Sequence, residues 1–138
     1  MYKRQICGKP VAPVTVSTVL QVLAFVDDIF FQAKIMETAK QVGVEIRCCT
    51  TPDALLDEIT KHPPNLVIVD LNARSKPLDA IERVRQTSPS LRVLAFLSHV
   101  QVDLAESARL AGCQDVMPRS KFTQSLATIL VQAKSQCG

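Results

Sequence analysis

The sequence lacks several features by which common classes of protein are recognised. Its 138 residues include no tryptophan, only four glycines and five cysteines, none of them arranged as Cys-x-x-Cys. So few glycines argue against a backbone cradle for phosphate, and the cysteine spacing fits no metal-binding pattern. No apolar run approaches the roughly 20 residues of a membrane-spanning helix without an interrupting charge. The sequence therefore predicts neither a membrane span nor a cysteine-ligated metal site.

An excess of charge of one sign is also lacking. The formal net charge is +3, and most Lys and Arg residues fall singly on predicted helix faces. Because no winged-helix, homeodomain or zinc-finger pattern is present either, we expect no direct binding to nucleic acid. The odd number of cysteines and the lack of a signal peptide favour a reducing cytoplasm. The adjacent Cys48 and Cys49 would point to opposite faces of a strand and pack as small apolar side chains.

The composition is that of one folded domain. Apolar residues make up 47% of the chain, which argues against disorder. Apolar runs alternate with helical patterns, so residues 20–134 are predicted to form a doubly wound α/β domain. Residues 1–19 are interpreted as a poorly ordered leader, in which residues 1–5 are a candidate sequencing artefact because they match a common adapter. A missing neighbouring domain stays an open alternative.

Helix-capping residues set the expected limits of the elements. Gly43 and Gly112 are placed to end helices, and Thr51 followed by Pro52 is placed to begin one. The predicted strands cover residues 20–26, 44–49, 65–70, 91–97 and 114–117. The predicted helices cover residues 29–42, 52–61, 77–88, 101–111 and 121–134.

Polar side chains follow three of the predicted strands. Asp27 and Asp28 come after the first apolar run, Asp70 ends the third, and Ser98 follows the fourth. Ligands of parallel α/β sheets bind outside the carboxyl ends of the strands. We therefore expect the three carboxylates and the hydroxyl to converge at one edge of the sheet.

The order of these motifs resembles the receiver domain of bacterial two-component response regulators. The resemblance covers about Leu20 to Ala133 and rests on four segments: Val26-Asp27-Asp28, Asn65 to Asp70, Leu97-Ser98-His99 and Gly112 to Arg119. It implies a flavodoxin-like five-stranded parallel sheet with the strand order 2-1-3-4-5. It also implies a phosphorelay module, not an enzyme, that takes a phosphoryl group from a histidine kinase or phosphotransfer protein and acts on an output partner.

The resemblance gives a role to each strand-end residue. Asp70 is implied to be the phosphoacceptor and, with Asp27 and Asp28, to bind Mg²⁺, a cation that prefers oxygen ligands. The backbone carbonyl of Asn72 is implied as a further ligand of the metal. The hydroxyl of Ser98 is implied to bind the phosphoryl group.

Several positions depart from the receiver pattern. Arg119 stands where receivers carry a Lys, Ser120 where they carry the following Pro, and Val116 where they carry an aromatic residue. Arg and Lys are not interchangeable in geometry, and the loop of residues 72–77 is also altered. These departures keep open a second hypothesis, a pseudo-receiver that binds partners without cycling phosphate.

Plainer structural roles also stay open for the strand-end residues. Asp27 and Asp28 could do no more than cap the helix that begins near Ile29. Asp70 could be a solvated strand end, and Ser98 an ordinary loop residue. A serine hydrolase is disfavoured because Ser98 lacks a Gly-x-Ser-x-Gly turn.

The segment after the fifth strand carries three specific expectations. Arg119 should face the pocket within reach of Asp70 and act as a fixed positive charge. Ser120 should cap the last helix with its side chain. Lys121 should turn to solvent, because a cation in the first turn of a helix is disfavoured by the helix dipole.

Overall fold

The computed structural model describes residues 21–98 and 101–135, in which strands and helices alternate. The strands are β1 (Val22–Phe25), β2 (Ile46–Cys49), β3 (Leu66–Asp70), β4 (Arg92–Leu97) and β5 (Asp115–Pro118). The helices are α1 (Ile29–Val42), α2 (Pro52–Lys61), α3 (Pro77–Thr87), α4 (Val102–Ala111) and α5 (Arg119–Ser135). All of the predicted elements are present, and their limits differ from the predicted ones by no more than two residues. The leader of residues 1–19 and His99 lie outside the described residues.

The strands form one parallel sheet in the order β2-β1-β3-β4-β5, which confirms the expected fold and topology. In its register Phe25 lies opposite Val69, and Asp70 lies opposite Phe96. In this order β2 and β3 lie on opposite sides of β1, so the direction in which strands are added reverses between β1 and β3. Ligands of open α/β sheets bind at such a point, outside the carboxyl ends of the strands.

Two apolar layers enclose the sheet. Helices α1 and α5 cover one face and helices α2, α3 and α4 cover the other. The buried strands β1 and β3 therefore contact apolar side chains on both faces, which explains their continuous apolar runs. On the α1 and α5 face, Phe96 and Phe122 stack with their ring centroids 4.5 Å apart, and Phe31 packs against both rings.

The helix ends follow the capping signals in the sequence. Gly43 and Gly112 have φ angles of 75° and 123°, and their N–H groups donate to the last carbonyls of α1 and α4. Both φ angles lie where residues other than glycine are strained. The hydroxyl of Thr51 accepts from the N–H of Ala54 and caps α2. Gly43, Thr51 and Gly112 show that these helix limits were readable from the sequence.

The junction of β5 and α5 differs from the prediction. Helix α5 begins at Arg119, directly after Pro118 has ended β5, so Ser120 lies inside the helix. A capping residue has to precede the first helical residue in an extended conformation. The prediction that Ser120 caps the last helix is therefore wrong. Lys121 is exposed, as expected.

The described cysteines are free thiols. Cys49 packs into the layer under α2 and α3, whereas Cys48 packs against the layer under α1 and α5, as expected for neighbours in a strand. Burial raises the pKa of the Cys49 thiol to about 11. Within residues 21–98 and 101–135, no helix is both long and apolar enough to cross a membrane.

Substitution Phe122→Ala is expected to lower the free energy of unfolding by about 3–5 kcal/mol, because it removes a fully buried ring stacked on Phe96. Equilibrium unfolding in urea measures this loss. Phe30→Ala is the matched control, since Phe30 is 88% exposed and its removal should change stability by less than about 0.5 kcal/mol. Equal effects of the two substitutions would contradict the described core.

Candidate functional site

An open pocket lies at the carboxyl edge of the sheet. It contains every site residue expected from the sequence, although these residues come from the carboxyl ends of four different strands and the residues that follow them. The pocket is lined by Asp27, Asp28, Ile29, Phe30, Asp70, Asn72, Arg74, Ser98 and Arg119. The expected convergence of the strand ends is therefore present in the structure.

Asp70 is the last residue of the central strand β3 and is 5% exposed, the one buried charged side chain in the described part of the chain. Its Oδ1 accepts from the N–H of Asn72 at 2.9 Å. Its Oδ2 has no hydrogen-bond partner among the described residues. Burial raises the pKa of Asp70; the N–H of Asn72 and the charge of Arg119 oppose this rise, and the charges of Asp27 and Asp28 add to it.

The two acidic residues after β1 have different partners. Asp28 caps α1, with its Oδ1 accepting from the N–H groups of Phe30 and Phe31 at 3.0 and 3.2 Å. Those backbone N–H groups, together with Arg119, lower the pKa of Asp28. Asp27 instead accepts from the N–H of Arg74 at 2.9 Å through Oδ2. Asp28 thus caps α1, and it also lines the pocket and binds Arg119. Asp27 ties the loop after β3 to the end of β1.

Arg119 is held between a carboxylate and an aromatic ring. Its guanidinium lies 3.2 Å from Oδ2 of Asp28 and 4.1 Å from the centroid of Phe31. It faces the pocket as expected, but its bonded partner is Asp28 and not Asp70. A planar guanidinium can stack on a ring and bind a carboxylate at the same time. Sequence reasoning missed Phe31, whose one signal was its position three residues after Asp28, on the same helical turn.

Ser98 and Asn72 are joined by two hydrogen bonds. The backbone N–H and the hydroxyl of Ser98 both donate to Oδ1 of Asn72, at 2.6 and 3.0 Å. Asn72 in turn donates through Nδ2 to Oε1 of Gln101 at 3.0 Å. The sequence singled out Asn72 for its backbone carbonyl alone, and nothing in the sequence pattern marked its side chain or Gln101.

The donors at the pocket fit Mg²⁺ as a partial ligand set. Among the described residues no group of three His, Cys, Asp or Glu side chains is placed to hold a metal ion. Asp28 caps α1 through Oδ1 and binds Arg119 through Oδ2. The free carboxylate oxygens of Asp27 and Asp70 and the carbonyl of Asn72 are hard oxygen donors. One or two carboxylates, with water and phosphate oxygens, are what Mg²⁺ commonly uses.

Solved structures that superpose on this chain include response regulators. A putative response regulator from Chloroflexus aurantiacus superposes with a TM-score of 0.74 at 19% identity, over 86% of this chain and 99% of that one. The receiver domain of NtrX from Brucella abortus gives a TM-score of 0.72 at 21% identity, over 83% of this chain and 98% of that one. The chain has the receiver-domain fold.

Two further comparisons show how much of a single-domain and of a longer protein this chain covers. The chemotaxis response regulator CheY4 of Vibrio cholerae matches with a TM-score of 0.72 at 18% identity, over 84% of this chain and 99% of that one. Against NtrX from Brucella abortus in complex with ADP, the chain spans 27% of the other's length. No protein-family model and no curated protein matches the sequence.

Asp70→Asn is expected to stabilise the folded protein at neutral pH. Because burial raises the pKa of Asp70 above its ordinary 3.8, the unfolded chain ionises first and stability falls as the pH rises from 3.8 through the raised pKa. The side-chain amide of the Asn variant carries no charge, so its burial does not destabilise the fold in this way as the pH rises. The variant should melt a few degrees above the wild type at pH 7, and the difference should close toward pH 4.

Thermal melts at several pH values measure this difference. Asp53→Asn is the control, because the side chain of Asp53 is 88% exposed. Its loss should not raise the melting temperature at pH 7 or at pH 4. A lower melting temperature for Asp70→Asn at pH 7 would give Asp70 a structural role instead.

Proposed function

We propose that this chain is a phosphorelay receiver, a signalling module and not an enzyme, in which Asp70 accepts a phosphoryl group. One observation carries the proposal: a buried carboxylate ends the central strand with one oxygen hydrogen-bonded and the other free, at the wall of an open acidic pocket. A solvated strand-end residue would be exposed on both oxygens. Asp70 is held in one orientation by the N–H of Asn72 and keeps Oδ2 for chemistry.

In the proposed reaction, Oδ2 of Asp70 attacks phosphorus. The new O–P bond forms as the bond from phosphorus to the donor breaks, and the electron pair of that bond leaves with the donor, an imidazole nitrogen in a phosphohistidine or an acetate oxygen in acetyl phosphate. The N–H of Asn72 keeps Oδ1 in place during the attack. Water on the acyl phosphate returns Asp70 and inorganic phosphate.

The pocket has to offset the negative charge of the incoming group. Mg²⁺, when bound, supplies a divalent charge that stabilises phosphoryl oxygens, and Asp27, Asp70 and the carbonyl of Asn72 are the residues that would hold it. Arg119 contributes a positive charge that is already close enough to lower the pKa of Asp70. Ser98 supplies a hydroxyl at the rim of the pocket.

The partners follow from this chemistry. A histidine kinase or phosphotransfer protein would supply the phosphoryl group, and an output protein would read the surface near α4 and α5. A cytoplasmic location is part of the proposal, and the free thiols of Cys48, Cys49 and Cys113 agree with a reducing compartment.

Millimolar Mg²⁺ is expected to raise the melting temperature of the wild type by a few degrees. A ligand that binds only the folded state stabilises it by mass action, and the cation relieves the repulsion between Asp27 and Asp70. Melts with and without Mg²⁺ measure the shift. Asp70→Asn should lose most of it, and a wild type that does not respond would contradict the acidic metal site.

Incubation with acetyl phosphate and Mg²⁺ is expected to add the mass of one phosphoryl group to the intact protein. Asp70→Asn should abolish the gain because it removes the nucleophilic oxygen. Asp115→Asn should keep it, since Asp115 lies in β5 and pairs with Arg92 away from the pocket. Intact-mass spectrometry reads all three proteins, and retention of the gain in Asp70→Asn would rule out Asp70 as the acceptor.

A second candidate function is the pseudo-receiver. It is favoured by the position of Arg119, which is bound to Asp28 and stacked on Phe31 before any phosphoryl group is present. A cation fixed in this way neutralises the pocket in advance and reduces the change that phosphorylation can cause.

Arg119→Lys separates the two candidate functions. A flexible ammonium loses the stacking on Phe31 and can swing toward Asp70, so the variant should accumulate phosphoprotein at least several-fold faster than the wild type. Arg47→Lys is the control, because Arg47 pairs with Glu58 outside the pocket. Time courses with acetyl phosphate give the rates. Unchanged rate and lifetime in Arg119→Lys would contradict this role of Arg119, and a wild type that never gains phosphate would favour the pseudo-receiver.

A further inference from the structure

The side chain of Asn72 connects the phosphoacceptor loop to α4. Its Oδ1 accepts both the N–H and the hydroxyl of Ser98, and its Nδ2 donates to Gln101, the residue before α4. Asn72 lies two residues after Asp70 and gives that residue its backbone N–H. One residue therefore contacts the acceptor, the hydroxyl at the pocket rim and the start of a helix.

Helix α4 is the most weakly anchored helix on its face of the sheet. Ala108 is its one buried residue, whereas α3 buries Ala80, Ile81 and Val84. Val102 and Leu110 are exposed at 67% and 85%. Gln101 does not cap α4 with its side chain, which is bonded to Asn72 instead. The residue before α4 thus contacts Asn72, which lines the pocket.

We propose that Asn72 is a positioning residue, a latch that holds Ser98 and the start of α4 in the unphosphorylated state and is released when Asp70 carries a phosphoryl group. The inference rests on the proposed function of Asp70. A serine hydroxyl has one proton to donate. That proton is donated to Asn72, so a phosphoryl oxygen that takes it breaks the bond from the hydroxyl to Oδ1 of Asn72. In the proposed release step Ser98 turns toward the phosphoryl group, its N–H leaves Oδ1 as well, and the remaining bond from Asn72 to Gln101 is strained.

The latch offers a route from the pocket to the surface that needs no aromatic residue in β5. Val116 occupies the middle of β5 and is partly buried beside the layer that holds α4. Val116 has no aromatic ring that could change position when the hydroxyl of Ser98 moves. The bonds from Ser98 through Asn72 to Gln101 reach α4 directly, and α4 carries exposed apolar side chains that a partner can read.

Two substitutions separate the parts of the latch. Asn72→Ala removes the bonds to Ser98 and to Gln101, whereas Gln101→Ala removes only the tie to α4. Asn65→Ala is a matched control, since Asn65 donates its side-chain hydrogen bond to Ala133 instead. Hydrogen–deuterium exchange of peptides covering residues 102–111 reports on α4, and beryllium fluoride with Mg²⁺ serves as a phosphoryl mimic.

Without beryllium fluoride, both latch variants should exchange three- to ten-fold faster than the wild type in the first turn of α4, roughly the factor for loss of one hydrogen bond. Asn65→Ala should leave α4 unchanged. Beryllium fluoride should speed exchange of α4 in the wild type and add little in Asn72→Ala, where the latch is already absent. Gln101→Ala should bind beryllium fluoride like the wild type, because its Ser98 is still held by Asn72.

Wild-type exchange rates for α4 in both latch variants would overturn the latch while leaving the proposed acceptor role of Asp70 intact. A wild type whose α4 does not respond to beryllium fluoride, but which gains a phosphoryl group from acetyl phosphate, overturns the release step alone. A wild type that does neither overturns the phosphoacceptor function as well. The comparison without beryllium fluoride then decides on its own whether Asn72 anchors α4. The two failures are therefore distinguishable.

Discussion

Negative charge crowds at the carboxyl ends of β1 and β3, and the rest of the site is arranged around the guanidinium that balances it. Arg119 binds Asp28, stacks on Phe31 and lowers the pKa of Asp70, which burial raises. Without this cation, a carboxylate that is 5% exposed would lie beside two others with little compensation. Within this balance, Oδ2 of Asp70 has no hydrogen-bond partner among the described residues.

The position of the cation depends on the apolar layer under α1 and α5. The Phe31 ring that supports Arg119 packs on Phe96 and Phe122, with centroids 5.2 and 5.9 Å away. Phe96 lies opposite Asp70 in the sheet, and its carbonyl accepts from the N–H of Leu71. The same aromatic group therefore contacts both the cation and the strand that ends in Asp70. A cavity in this group is expected to disturb the pocket as well as the stability of the fold.

The fold was predictable from the sequence because it follows from local patterns. Apolar runs mark the buried parallel strands, glycines end α1 and α4, and the strand-end position of Asp70 places it at the pocket. The hydrogen-bond partner of each polar side chain was not predictable, because it depends on distances and angles that are fixed only in the folded chain. Asp28 takes the cap of α1 while Asp27 binds Arg74, and Asn72 uses its side chain toward Ser98. Helix α5 begins at Arg119 because Pro118 ends β5 directly before it, which left Ser120 without a capping position.

Reductive trapping identifies the aspartate that carries a phosphoryl group. After incubation with acetyl phosphate and Mg²⁺, borohydride converts an aspartyl phosphate to homoserine, and peptide mass spectrometry locates the converted residue. If Asp70 is the phosphoacceptor, homoserine is expected at position 70, with Asp27 and Asp28 intact, and none is expected in a sample without the phosphoryl donor. Conversion at another aspartate, or no conversion while the protein stays folded, would contradict the assignment of Asp70 as the phosphoacceptor.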